Sequence, residues 1–240
     1  KKEMQDARKG KLFSKLIRLI TTAAQSGGTN IDFNPKLELA IEKAKNAGIS
    51  KDTIEKAINK AKDKANQSLQ EVYFEGFGQQ GVGIIVEVIT DNKNRTLSEI
   101  RKIFDTKGGN LASANAVMWN FERKAFIRVP KKSVSSEEMF YENLLSSDVA
   151  DLDIINADDS YEIYANPKSM AQVVEILNKF KYEISDKEFI LKPKTTVEVK
   201  DKEEAQHLLE LIDALEEHDD VQNVYSNFEI PEELLKSVAS

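Results

Sequence analysis

Cysteine is missing from the 240-residue chain, and its absence removes disulfides, a thiolate nucleophile and any cysteine zinc site together. Such a composition fits the cytosol. Histidine is scarce as well: His207 and His218 are the only imidazoles. There is no long hydrophobic run. The most apolar stretch, 83–89, still contains Glu87 and falls far short of the roughly 18–20 residues that span a bilayer. No charged-then-apolar leader opens the chain, and it begins at Lys1 rather than Met, which places a natural start upstream. What remains is ordinary globular composition, with 40% apolar and 31% charged residues. The length admits one to three domains of about 100–200 residues each. The expectation is a soluble, cytoplasmic protein without a membrane partner.

Charge is unevenly spread. Residues 1–70 hold 15 Lys+Arg against 8 Asp+Glu, a net of +7, whereas residues 131–240 hold 11 against 26, a net of −15. The segment between is close to neutral, with 8 basic and 7 acidic groups. A basic front on an acidic body is the asymmetry of a protein whose one end meets a polyanion. Solvated helix faces would produce the same count.

Periodicity divides the chain further. Leu12, Leu16, Leu19, Ile20 and Ala23 recur at three- and four-residue spacing and predict a helix over 5–25, stopped by Gly27 and Gly28. Asn34–Pro35 opens a second helix that ends at Gly48, and Ser50 caps a third. Residues 66–70 lose periodicity and read as a linker. Strands at 72–75 and 84–90 flank a glycine-rich turn, and a helix follows over 92–107, for which Asn94 or Thr96 can cap. A second hairpin is expected at 117–121 and 125–129, turning at 122–124. Residues 132–193 repeat the style, with helices at 136–145 and 170–180, a strand pair around Asp158–Asp159 and a strand at 189–192. A helix over 205–215 and a strand over 221–230 close the chain. The fold class is therefore α+β in three domains: a basic helical bundle (1–70), a central α+β domain (71–131 with 194–240) and a second, related in plan, inserted in it (132–193).

Enzymatic signatures fail one by one. Gly76-Phe77-Gly78-Gln79-Gln80-Gly81 is a literal GxGxxG, but β-branched residues follow it, so no helix N-terminus points at the loop, and no HRD or DFG accompanies it. Its glycines read as a bent hairpin connection needing positive φ. Neither histidine has a partner at zinc spacing. Glu216, Glu217, Asp219 and Asp220 could attract Mg²⁺ but lack calcium-loop spacing, and they read as a solvated acidic helix end. The chain is expected to be no enzyme and to need no cofactor or metal.

Cations supply the one positive signal. Lys11, Lys15 and Arg18 form a stripe on the first helix with Arg8 close by, and Lys56, Lys60 and Lys64 form another on the third. Each can neutralise a phosphate and release counterions. The second and third helices have helix-turn-helix spacing, yet the third offers mainly Lys, Asp and Glu with a lone Asn59, so backbone contact is better supported than base reading. Arg95, Arg101, Lys102 and Lys107 add cations around the central helix, and Arg123 and Lys124 add two at the expected hairpin tip.

On these residues the chain resembles the YebC/PmpR family, whose eukaryotic relatives include a mitochondrial translational activator of a cytochrome oxidase subunit. The likeness runs through Gln5-Asp6-Ala7-Arg8-Lys9-Gly10-Lys11, Asn34-Pro35, Lys51-Asp52-Thr53-Ile54-Glu55-Lys56-Ala57-Ile58 and Tyr73-Phe74-Glu75-Gly76. It continues in Asp91-Asn92-Lys93-Asn94-Arg95-Thr96, Gly108-Gly109-Asn110-Leu111 and Phe121-Glu122-Arg123-Lys124, and closes in Asp219-Asp220-Val221-Gln222-Asn223-Val224-Tyr225. Residues 132–193 match in general pattern only. The basic AGHSKWANIKH-type leader of relatives does not precede Lys1, and Gln79–Gln80 stand where relatives often carry a Pro-Gly or Gly-rich pair. The resemblance implies two ferredoxin-like domains behind the bundle and a non-enzymatic regulator of gene expression. Its partner would be DNA, bound as by a transcriptional regulator, or ribosomal or transfer RNA on the ribosome as a translation factor. An acidic protein–protein adaptor without nucleic acid is the third class. The candidate nucleic-acid-binding set is Arg8, Lys9, Lys11, Lys15, Arg18, Lys56, Lys60, Arg95, Arg101, Lys102, Lys107, Arg123 and Lys124; the sequence leaves the oligomeric state unknown.

Overall fold

The computed structural model describes residues 2–62, 69–231 and 233–234. Lys64 and residues 66–68 of the expected linker lie outside the described residues. In chain order the elements are α1 (Lys2–Gly27), α2 (Pro35–Asn46), α3 (Lys51–Lys60), β1 (Gln70–Phe77), β2 (Gly83–Thr90), α4 (Lys93–Thr106), β3 (Asn110–Leu111) and β4 (Phe121–Pro130). There follow α5 (Glu137–Leu145), β5 (Asp153–Asn156), β6 (Ser160–Ala165), α6 (Met170–Lys179), β7 (Asp186–Pro193), β8 (Val197–Glu198), α7 (Lys202–Glu216), β9 (Val221–Ser226) and β10 (Phe228–Glu229). Two compact units result, one of residues 1–120 with 195–240 and one of residues 121–194.

Within the first unit, α1, α2 and α3 bury Leu16, Ile20, Ala23, Leu37, Ala40, Ile41, Ala44, Ile54 and Ala57 against one another. Leu12, expected on that face, is exposed. The joint between α1 and α2 is held by Asn34. Its Oδ1 accepts from the Leu37 amide at 3.1 Å, while its Nδ2 donates to the Ala23 and Gly28 carbonyls at 2.8 Å each. One side chain thus caps the second helix and fastens the end of the first. Ser50 caps α3 as expected, accepting from Thr53. Asn92, rather than Asn94 or Thr96, caps α4.

The sheet of the first unit runs β3-β1-β2-β9, all antiparallel. β2 and β3 both oppose β1, so they are parallel to each other and joined through α4: a split β-α-β unit. Alternate residues Phe74, Ile84, Val86 and Val88 meet Ile100 and Phe104 of α4 and Leu208, Leu211 and Leu215 of α7 in the core. In the glycine-rich loop Gly81 is the one glycine with positive φ, +73°, and Gln80 before it is also left-handed, at +54°. Gly76 is required for another reason, since a Cβ there would lie 2.6 Å from the Phe104 ring and 2.8 Å from the Asn110 carbonyl. On the other face of the sheet the buried Glu75 carboxylate accepts amides of Asn115 (2.7 Å), Val117 (2.7 Å) and Met118 (2.8 Å), fixing the chain beyond β3.

The hairpin expected at 117–129 is not present. Residues 121–130 form one unbroken strand, β4, and Met118–Asn120 is a 3-10 turn. Glu122–Lys124 cannot turn because they pair in register with Lys192, Leu191 and Ile190 of β7. Consequently β4 belongs to the second unit, whose elements β4-α5-β5-β6-α6-β7 form an antiparallel sheet in the order β5-β6-β4-β7, the ferredoxin-like plan. Its core gathers Ile127, Phe140, Leu144, Ile163, Val173 and Leu177, while Phe126 packs on the opposite sheet face beside Tyr164. The fold is α+β.

Candidate nucleic-acid interface

The cationic stripe of α1 is where the spacing put it, but much of it points inward. α7 ends at Glu216, and the chain turns at 217–220 into β9. A helix end leaves its last carbonyls without intrahelical donors. Lys15 Nζ donates to the Glu216 carbonyl at 2.7 Å, and Lys11 Nζ to the Glu217 carbonyl at 3.2 Å. Both cations also oppose the negative end of the α7 dipole. Burial lowers the pKa of Lys15, with the Asp219 and Glu216 charges acting in the opposite sense. Lys11 adds an ion pair to Asp219 at 3.5 Å.

The anchor of this junction is Asp220, which is 4% exposed. Arg18 Nη1 donates to its Oδ1; Arg95 Nη2 reaches Oδ2 at 2.8 Å and Thr96 Oγ1 the same atom at 2.7 Å. Thr96 spends its single proton on the carboxylate, so it accepts from the Thr90 hydroxyl, 2.8 Å away. Burial alone would raise the Asp220 carboxyl; the bonds from Thr96, Arg95 and Arg18 outweigh it and hold the group at about 2 against an ordinary 3.8. The acidic run that reads as a solvated helix end is therefore the station on which α1 and α4 dock.

Ligand-type atoms of Glu99, His218 and Asp220 fall within 4.8 Å of one another. Their partners disfavour a cation. The Asp220 amide donates to His218 Nδ1 at 3.1 Å, which puts the imidazole proton on Nε2, facing Glu99 Oε2 at 2.9 Å. Both ring nitrogens and both Asp220 oxygens are thus engaged, two of the partners being guanidinium groups.

Beside this junction α1 and α4 border an open cleft of about 610 Å³ lined by Lys11, Arg18, Arg95, Lys102, Ile103, Glu99 and the turn residues 217–220. Cations about 80–90 positions apart in the chain are brought together here. Arg8 lies one turn before Lys11 on the same helix face, and Arg95, Glu99 and Lys102 share one face of α4. Arg8, Lys60, Arg101 and Lys102 are exposed and have no carboxylate partner among the described residues. Lys9 lies over the Phe13 ring at 5.5 Å. The other predicted cations are paired. Arg95 also meets Asp91 at 3.1 Å, Lys107 meets Glu210 at 3.7 Å, and Lys56 meets Asp52 at 2.7 Å. Arg123 and Lys124 sit within strand β4 of the second unit, Lys124 beside Glu122 at 3.4 Å, and not at a hairpin tip.

Two features escaped the sequence. The docking partners of Lys15 and Arg18 are 201 and 202 residues away, beyond any spacing rule. Phe33 is 82% exposed and Trp119 67% exposed, and nothing in the hydrophobic pattern marks either as a surface ring.

An α+β chain with a helical front and a ferredoxin-like insert, carrying a cleft where four cations meet four carboxylates, is thus defined. The family model described as the TACO1/YebC protein N-terminal domain matches residues 1–64, and that of the TACO1/YebC second and third domain matches residues 69–228. The chain belongs to the TACO1/YebC family. It is 45% identical over 240 residues to a "probable transcriptional regulatory protein" of Persephonella marina, covering 100% of this chain and 95% of the relative. It is 44% identical over 239 residues to a protein of the same name from Aquifex aeolicus, covering 99% and 95%. The crystal structure of a conserved hypothetical protein from Aquifex aeolicus superposes with a TM-score of 0.85 at 44% identity, covering 96% of this chain and 94% of that one. Among the described residues no helix is long and apolar enough to cross a membrane.

Proposed function

We propose that this protein is a non-enzymatic, cytoplasmic regulator of gene expression that binds the phosphate backbone of DNA through its basic helices; the regulatory part of this reading is supported by relatives named probable transcriptional regulatory proteins. The observation that carries this reading is the α1/α4 cleft, where Lys11, Arg18, Arg95 and Lys102 converge. The exposed Arg8 and Lys9 of α1 and Arg101 of α4 extend the positive surface along the same helices, and Lys60 adds an exposed cation at the end of α3. Lys15 and Arg18 serve chiefly to hold α1 in place; the cations without carboxylate partners make the phosphate contacts. Among the described residues no helix presents a row of Arg, Asn or Gln for base edges, which favours backbone contact over sequence reading. Fluorescence anisotropy with a labelled DNA duplex tests this. Arg8→Ala, Arg101→Ala and Lys102→Ala together should weaken binding at least tenfold in moderate salt, on the order of three lost phosphate contacts. An unchanged affinity refutes the reading.

A second reading, a ribosome-associated translation factor that binds ribosomal or transfer RNA, is favoured by the exposed rings of Phe33 and Trp119. Duplex backbone has no use for them, whereas unpaired bases stack on such rings. Co-sedimentation with ribosomes, lost in the same triple variant, would support this reading over the first.

A further inference from the structure

We propose that the 217–220 turn is a resident competitor for phosphate, with Asp219 occupying at Lys11 the place that a nucleic-acid phosphate takes, so that binding proceeds by exchange of one anion for another. This rests on the nucleic-acid reading above and names how that site is regulated. The two adjacent acids of the turn are held very differently. Asp220 is buried, with three side-chain partners, and is a permanent fastening. Asp219 is the opposite: its side chain is 70% exposed, Lys11 is 53% exposed, and the two meet at 3.5 Å across the mouth of the cleft. A solvent-exposed pair at that separation contributes little and is readily exchanged.

The rest of the cleft suits the exchange. Lys102 lines the same cavity, is exposed and has no carboxylate partner among the described residues, so it offers a first foothold for an incoming phosphate. Glu217 gives Lys11 a carbonyl at 3.2 Å, so the ammonium keeps one bond and its position when Asp219 leaves. Arg18 and Arg95 stay on Asp220 throughout, and Glu99 stays on His218. The displaced Asp219 faces water. Opposing charges of the cleft balance as the chain stands, four against four: Lys11, Arg18, Arg95 and Lys102 against Glu99, Glu217, Asp219 and Asp220. Moving the exposed Asp219 carboxylate aside leaves four cations against three carboxylates and turns the mouth positive.

The test is a double-mutant cycle on the full chain, reading affinity for a labelled DNA duplex and for a structured RNA hairpin by anisotropy across a salt series. Asp219→Asn should tighten binding about two- to fivefold and steepen the salt dependence by about one phosphate contact. In a Lys11→Ala background the same substitution should lose most of that gain. Glu203→Gln, an equally large charge change at an exposed position in the first turn of α7, separates exchange from bulk charge and should tighten binding less. A gain no larger than that of Glu203→Gln, or one that persists undiminished without Lys11, overturns the exchange while leaving the nucleic-acid reading intact, provided that wild type binds. Failure of wild type and Asp219→Asn alike to bind either probe overturns both. Thermal unfolding followed by circular dichroism should give the same midpoint for Asp219→Asn as for wild type.

Discussion

Substituting Asp220 by Asn should unfasten α1 from the sheet, and the size of the effect follows from the carboxylate's surroundings. The group is buried and titrates at about 2 rather than 3.8. That difference corresponds to roughly 2 kcal/mol of stability. The folded-state value is depressed, so this contribution is fully present above the unfolded value, near pH 4, and is lost as pH falls through about 2. Asn keeps one acceptor but leaves Arg18 without its carboxylate partner and Arg95 with only the more exposed Asp91 and Glu99. Breaking a buried pair costs about 3–5 kcal/mol, and the partial exposure of both guanidiniums reduces this to about 2–3 kcal/mol. The single tryptophan, Trp119, lies in the same compact unit, so its fluorescence during urea unfolding follows that unit. Wild type should lose stability between pH 4 and pH 2, and Asp220→Asn should begin lower at pH 7 and decline less over that window. A variant within about 0.5 kcal/mol of wild type at pH 7, or one with the same acid limb, refutes the reasoning.

Other consequences are more local. Glu75→Gln removes a charged acceptor from three amides and should raise hydrogen exchange at Asn115, Val117 and Met118 while costing about 1–3 kcal/mol. Gly76→Ala drives a methyl into the Phe104 ring and the Asn110 carbonyl and should lower stability by about 1–3 kcal/mol in chemical denaturation. Phe33→Ala removes an 82% exposed ring from the 3-10 turn at Ile31–Phe33. It should leave the thermal midpoint unchanged while weakening single-stranded RNA by about 1 kcal/mol or more and duplex DNA little.

Local chemistry was legible where a single residue decides the structure. Asn34 and Ser50 cap where the sequence places them, and the apolar stripes of α2 and α7 are the buried ones. Alternation misled at 121–130. Three polar residues in succession, Glu122, Arg123 and Lys124, imitate a turn, yet β7 supplies them a pairing edge that is distant in sequence. The cationic stripe shows the same limit in the site. Spacing places Lys11, Lys15 and Arg18 on one face of α1, but only the tertiary fold reveals that an acidic turn some 200 residues away claims part of that face. Conversely, the convergence of Lys11 with Lys102 across two elements has no signature in either segment.

The salt dependence of nucleic-acid affinity tests the central claim most directly. If exposed cations on α1 and α4 hold phosphates, log K for a labelled duplex falls linearly with log salt, with a slope of about −3 to −5, and the Arg8, Arg101 and Lys102 triple variant flattens it by about 2–3. A slope near zero, or one that the triple variant leaves untouched, contradicts the account.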